Sequence, residues 1–292
     1  MINFRPINIS DKTEYEKLSE NRDYLGCETS FGNLFLWGDQ KISLVNGQMV
    51  FLSTFSKSFY PFPVGEGDKK AVIEELIKDA KERNIPFVLT SISPDEKNLV
   101  ENLFPDRFIF ETSEDSYDYV YSIDDLSSLS GKKYHKKRNH LAHFYKDHPN
   151  YTVEPFRKDN LDKIKGLVDT WYGEREGDFE YEKEVFRRAI ENFDALEMEG
   201  LILVDCGEIF AVTFASRLNR EVFDVHFEKA RADVQGAYPA INNEFAKYIK
   251  DKYPEVKYLN REEDMGVEGL RKAKKSYYPI FRVEKYRAKL KD

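Results

Sequence analysis

The sequence predicts an α/β (α+β) chain built as two tandem halves, each a mixed sheet flanked by helices. Three observations predict it. At 292 residues the chain exceeds a single domain of about 100–150 residues and suits two. Runs of alternating apolar residues interleave with runs of helical period, and the second half repeats the order of the first without matching its residues. The composition, 41% hydrophobic with 22 Phe and 18 Tyr, supplies large apolar side chains for a core in each half.

In the first half, Asn3 to Ile9 reads as a strand, and Ser10 with Asp11 and Glu14 opens a helix to about Asn21. After the anchors Phe31, Leu34, Phe35 and Trp37, the runs Lys41–Val45 and Gln48–Phe55 flank Asn46-Gly47, the strongest short hairpin signal. Val72, Ile73, Leu76 and Ala80 share one face of a helix from Asp68 to Arg83. A strand at Pro86–Ile92, a helix at Pro94–Leu103 and a strand near Phe108 complete the half.

The second half opens with a strand at Tyr151–Pro155 and helices at Asn160–Trp171 and Tyr181–Phe193. Three strands follow, Leu201–Asp205, Glu208–Arg217 and Glu221–Phe227, joined by tight turns at Cys206-Gly207 and Asn219-Arg220. Then come a helix (Pro239–Lys252), a strand (Val256–Asn260), a short helix (Val267–Lys275) and a last strand (Ile280–Tyr286). Between the halves, Lys132, Lys133, Lys136, Lys137 and Arg138 make a basic helix. Its apolar face is Tyr134, Leu141 and Tyr145, with the lysines opposite. The expected division is 1–130, a connecting helix at 131–148, and 149–292 with the active site.

Cys27 and Cys206 lie far apart and outside any metal-ligand spacing, so neither a disulfide framework nor a zinc site is expected, and a reducing compartment fits. With no basic-then-apolar start and no apolar run of about 18 residues, a soluble, cytoplasmic protein is the expectation. A net charge of -8 repels phosphate overall, so binding to RNA must rest on a local patch, and the basic helix is that patch.

Three groups of residues could carry chemistry. Alternation along Val222–Glu228 turns Asp224, His226 and Glu228 to one side, where a histidine between carboxylates can take a proton near neutral pH; the alternative is a satisfied core histidine beside a solvated edge. Gln235-Gly236-Ala237-Tyr238-Pro239 enters a helix where backbone N–H groups could hold a pyrophosphate, or is an ordinary turn. Asn260, Arg261, Glu262 and Asp264 cluster at a strand's carboxyl end, and Arg271 and Lys275, four apart, could grip an anion if they are not simply a solvated face. No metal is indicated.

The order and lengths of the second half match an N-acyltransferase-like (GNAT-type) half. The runs Gly131-Lys132-Lys133-Tyr134-His135-Lys136-Lys137-Arg138-Asn139, His226-Phe227-Glu228-Lys229-Ala230 and Asn260 to Lys274 resemble an uncharacterised bacterial family similar to the C-terminal domain of phosphatidylglycerol lysyltransferase. That resemblance implies a tandem acetyltransferase-like fold shared with Fem-type peptidyltransferases, which take aminoacyl groups from tRNA. The expected function is acyl or aminoacyl transfer from acyl-CoA or aminoacyl-tRNA to an amine or hydroxyl acceptor, a small molecule or peptide. Glu228 or His226 is then the base, with Arg261, Arg271 and Lys275 on the donor. The rival is a non-catalytic RNA- or phospholigand-binding module.

Overall fold

The computed structural model describes residues 1–54, 57–157, 160–173 and 179–291. The chain forms two compact units that interleave along the sequence. One holds Met1–Asp118, Glu263–Glu268 and Arg282–Asp292; the other holds Tyr119–Glu262 and Gly269–Phe281. Its elements up to the first crossing are β1 (Arg5–Pro6), α1 (Lys12–Ser19), α2 (Phe31–Leu36), β2 (Gln40–Val45), β3 (Gln48–Ser53), β4 (Tyr60–Pro61), α3 (Lys69–Glu82), β5 (Val88–Ile92), α4 (Pro94–Leu103) and β6 (Phe108–Thr112). There follow β7 (Asp118–Ser122), α5 (Ile123–Ser128), α6 (His135–Asp147), β8 (Thr152–Pro155), α7 (Leu161–Gly173), α8 (Glu180–Glu191), β9 (Glu199–Asp205), β10 (Glu208–Asn219), β11 (Val222–Ala230), α9 (Ala237–Lys252), β12 (Tyr258–Asn260), α10 (Glu268–Lys275), β13 (Phe281–Val283) and β14 (Tyr286–Leu290).

In the first unit the β2–β3 hairpin turns on Asn46 and Gly47, both at positive φ, the backbone a two-residue turn of the primed type requires. Helix α4 begins on a capping box: the Ser93 hydroxyl accepts from Glu96 N–H, the Glu96 carboxylate accepts from Ser93 N–H, and Pro94 sits where no N–H is needed. One sheet has the order β1-β2-β3 and the other β4-β5-β14-β6. A core of Val50, Leu52, Tyr60, Val72, Ile73, Leu76, Leu89 and Ala288 joins α3 to these strands.

The division at 131–148 is therefore not where the chain separates. Strand β14, from the C-terminus, lies between β5 and β6, and buried Ala288 completes the first unit's core. The basic helix α6 is no linker either: Tyr134, Leu141 and Phe144 are buried in the second unit, against α9.

The second unit is organised by the sheet order β13-β7-β12-β11-β10-β9-β8. Strands β11 and β12 are parallel; the pairings of β12 with β7, β10 with β11, β9 with β10 and β8 with β9 are antiparallel. Helices α7 and α9 pack on β10 and β11, so β11 is buried along nearly its whole length. Sequence patterning overlooks β7, because its Asp118-Tyr-Val-Tyr-Ser122 run lacks alternation; it is buried on both sides. The expected last strand, Ile280–Tyr286, is broken into β13 and β14 around Glu284 and Lys285, the latter drawn into a carboxylate cluster. No helix among the described residues is long and apolar enough to cross a membrane.

Candidate functional site

Within the second unit, polar residues converge where β12 ends beside the first residues of the parallel strand β11 and the 261–262 turn begins. Asp224 pairs with Asn260 in the parallel register. The Asn260 side chain accepts from Glu262 N–H at 2.7 Å, and Glu262 adopts a left-handed backbone, φ 55°, uncommon for a residue with a Cβ. Lys274, buried on α10, donates to the carbonyls of Arg261 (2.5 Å) and Glu262 (3.1 Å) and so holds the turn. Such strain persists only where its surroundings over-determine it, and it concentrates at functional sites.

Glu262 meets His226. The register of β11 against β10 runs Ala215↔Val225 and then Phe214↔Phe227, so His226 is the extra residue of a bulge. Its Nε2 lies 2.8 Å from the Ser216 hydroxyl, and its Nδ1 lies 3.2 Å from Glu262 Oε1 and 3.6 Å from Asp224 Oδ2. The His226 and Asp224 side chains are fully buried, whereas Glu262 keeps 19% exposure and is the member that reaches solvent. Hydroxyl, imidazole and carboxylate stand in the order a proton relay requires. The ligand atoms of Asp224, His226 and Glu262 also lie within 4.8 Å of one another, a spacing that admits a metal ion.

Glu228 stands apart from this relay. Its Oε1 accepts from Arg261 Nη2 at 2.7 Å and its Oε2 from Asn242 Nδ2 at 3.0 Å, both in a largely buried setting. This geometry argues against Glu228 as the base, because one oxygen is held by Arg261 and the other by Asn242. The bulge at His226 explains why simple alternation grouped Glu228 with the other two. Arg261 also stacks on Tyr277 and Tyr121, its Cζ 5.0 and 5.5 Å from their ring centroids.

The five basic residues of α6 and the turn before it divide. Lys137 faces inward, its Nζ 3.5 Å above the Tyr277 ring. Lys133 pairs with Asp125, and Arg138 donates to the carbonyls of Leu129 and Gly131. Lys132 and Lys136 are exposed. The inward turn of Lys137 was legible: it lies three residues after Tyr134 and four before Leu141, within the apolar stripe. Burial and the neighbouring Arg261 charge push Lys137 down to about 8, opposed by Glu228.

The remaining expected residues separate further. On α10 the buried residue is Lys274, with Tyr277 buried just beyond the helix, while Lys275 is solvated and Arg271 half-exposed. Asp264 belongs to the first unit, where it caps a turn by accepting from Gly266 N–H. Gly236 opens α9 at φ 85°, and a Cβ there would stand 2.5 Å from the His140 carbonyl oxygen of α6. Ala237 N–H bonds Val234, Pro239 has no N–H, Gln235 is exposed, and the Tyr238 hydroxyl accepts from Trp171 Nε1 at 2.6 Å. The His140 carbonyl of α6 thus lies close against Gly236, and the Ala237 amide is already engaged.

The first unit holds a cluster that sequence reasoning missed. Lys285 Nζ lies 2.7 Å from Asp118, 2.8 Å from Glu28, 3.2 Å from Glu263 and 3.3 Å from Cys27 Sγ. The ammonium occupies the place a metal would take among Cys27, Glu28 and Asp118. Three carboxylates share one cation: burial raises Asp118 to about 7, against the pull of Lys285. Glu263 also suffers burial, but Lys285 holds it down, at about 2. Residues up to 258 positions apart in sequence offer no local signal of such a cluster.

The family model for phosphatidylglycerol lysyltransferase, C-terminal, matches residues 20–289. The chain belongs to this family. A conserved protein of unknown function from Bacteroides thetaiotaomicron is 37% identical, with TM-score 0.92 and full coverage of both chains. L-PGS from Bacillus licheniformis superposes with TM-score 0.69 at 16% identity, covering 97% of this chain and 92% of that one. FemX superposes with TM-score 0.59 at 11% identity over 99% and 98%, and a tandem GNAT protein from the clavulanic acid biosynthesis pathway with 0.53 at 10% over 100% and 99%. These last three show the fold, and it is the tandem GNAT and Fem type expected from the sequence. An uncharacterized protein of Mycoplasmoides gallisepticum is 25% identical over 61% of this chain, and the match spans 57% of that protein's length.

Proposed function

We propose that the second unit is an aminoacyltransferase centre in which an amine or hydroxyl acceptor attacks the ester carbonyl of an aminoacyl-tRNA. Family membership and the likeness to L-PGS and FemX support transfer chemistry. The turn at Gly236 favours an aminoacyl-tRNA donor over acyl-CoA, because the Ala237 amide is engaged, Pro239 has none, and α6 lies close against Gly236. The observation that carries the reading is the relay of Ser216, His226 and Glu262.

An attacking ammonium must lose a proton to become a nucleophile. Glu262 is the relay's solvent-facing end and receives that proton; as the new bond to the carbonyl forms, the ester bond to the tRNA ribose breaks and the departing ribose oxygen takes the proton back, while the imidazole of His226 bridges Glu262 to Ser216 and Asp224 supplies a second carboxylate. Asn260 and Lys274 fix Glu262 through its backbone and are positioning residues.

The test is label transfer. The chain is incubated with tRNA charged with labelled amino acids, or with labelled acetyl-CoA, plus a cell extract as acceptor source. Label entering a non-tRNA product from the charged tRNA supports the proposal. Glu262→Gln and His226→Asn should then cut turnover by about 10²–10⁴-fold, the usual worth of a general base. Transfer from acetyl-CoA alone, or salt-dependent tRNA binding with no turnover, overturns it; the second outcome leaves a binding module.

A further inference from the structure

We infer that Lys137, Arg261 and Asn242 form a binding site for a compact oxyanion, a carboxylate or a phosphate, in the second unit. It is independent of the transfer reaction, and its test requires no donor and no turnover.

The inference starts from charge. Arg261 and Lys137 lie on the same tyrosine, Tyr277, at 5.0 Å (Cζ) and 3.5 Å (Nζ) from its centroid, and the carboxylate that opposes them both is Glu228. Two cations against one carboxylate leave an excess positive charge in a largely desolvated place. A buried charge is ordinarily paired, so this arrangement lacks a negative partner.

Hydrogen bonding points the same way. Arg261 gives Nη2 to Glu228, but its buried Nη1 has no hydrogen-bond partner. Asn242 gives Nδ2 to Glu228, while its buried Oδ1 is likewise unpartnered. Buried polar atoms are nearly always satisfied, and two orphans beside one ion pair are unusual. An oxyanion completes the set: its oxygens accept from Arg261 Nη1 and the Lys137 ammonium, and a protonated oxygen, as in a phosphate monoanion, donates to Asn242 Oδ1. Lys137 is half-exposed, whereas Arg261 and Glu228 keep 13% and 10%, so the approach runs along the lysine. The low proton affinity of Lys137 fits an ammonium that lacks its counter-ion.

The experiment titrates the full chain with inorganic phosphate and, separately, with acetate, by calorimetry at constant ionic strength in sodium chloride. Saturable binding of phosphate alone assigns a phosphate site, and saturable binding of acetate alone or of both assigns a carboxylate-accepting one. Either supports the site if Lys137→Met weakens it by about tenfold or more, the loss of one charge-assisted hydrogen bond, while Lys136→Met, one residue away and exposed, leaves it unchanged. Absence of saturable binding by both probes, or equal binding by Lys137→Met and the wild type, overturns the inference.

Discussion

Replacing Glu228 by Gln separates a base from a structural ion pair. Glu228 and Arg261 keep 10% and 13% side-chain exposure and meet at 2.7 Å, so their charges interact in a medium well below the dielectric of water. Removing one partner of a buried pair costs about 3–5 kcal/mol, because the other charge stays buried and uncompensated. Gln keeps an acceptor for Arg261, and Asn242 can meet its amide by turning over, but the negative charge that compensates the buried Arg261 is gone. The expected loss is therefore about 2–4 kcal/mol. At about 2–4 °C per kcal/mol for domains of this size class, the melting temperature of Glu228→Gln should fall by about 4–16 °C. Thermal and urea melts read this directly, and a cycle with Arg261→Met sharpens it. The double variant should lose less than the two single losses added together, since no lone charge remains. A Glu228→Gln protein that melts within about 1 °C of wild type while turnover drops by about 10²–10⁴-fold would refute the reasoning and return Glu228 to the role of base.

Three further outcomes follow from the geometry. Gly236→Ala should destabilise by more than the roughly 1–2 kcal/mol of a left-handed residue with a Cβ, because the new atom meets the His140 carbonyl at 2.5 Å; an unchanged urea midpoint would show that α6 does not sit there. Asp118 has its folded-state affinity for a proton raised from 3.8 to about 7, so it favours folding at low pH, and that stability is lost as pH rises from about 4 through 7. Urea melts at pH 5 and pH 7 should show this decline flattened in Asp118→Asn, and an identical slope in the two proteins would contradict the assignment. Of the basic residues around α6, Lys132 and Lys136 remain solvated, so tRNA binding through them should weaken with salt at a log–log slope of about 1.4–1.8, at 0.7–0.9 per phosphate; a slope near that for five phosphates would mean that Lys133, Lys137 and Arg138 leave their partners.

The elements were legible wherever the signal is local. The hairpin at Asn46-Gly47 and helix α4 at Pro94–Leu103 follow from turn chemistry and capping, which act over four residues or fewer. Long motifs around Lys132, His226 and Asn260 to Lys274 carried the family resemblance, and with it the tandem fold. The chemistry-bearing stretch at the end of β12 was also visible, as a density of polar groups at a strand's carboxyl end.

Only the tertiary structure decided who partners whom. One bulge residue at His226 sends Asp224 and His226 towards Ser216 and Glu262 and leaves Glu228 to Arg261, a change that alternation with period two cannot express. One residue along α10, about 100° of helical rotation, turns Lys274 in and Lys275 out, and the packing of α10 decides which of the two is buried. Strand β14 closes the first unit's core from the far end of the chain, and Lys285 gathers Cys27, Glu28, Asp118 and Glu263. These pairings are set by burial and charge compensation between residues distant in sequence. Residue order alone determines which groups are available; desolvation determines which of them must find each other.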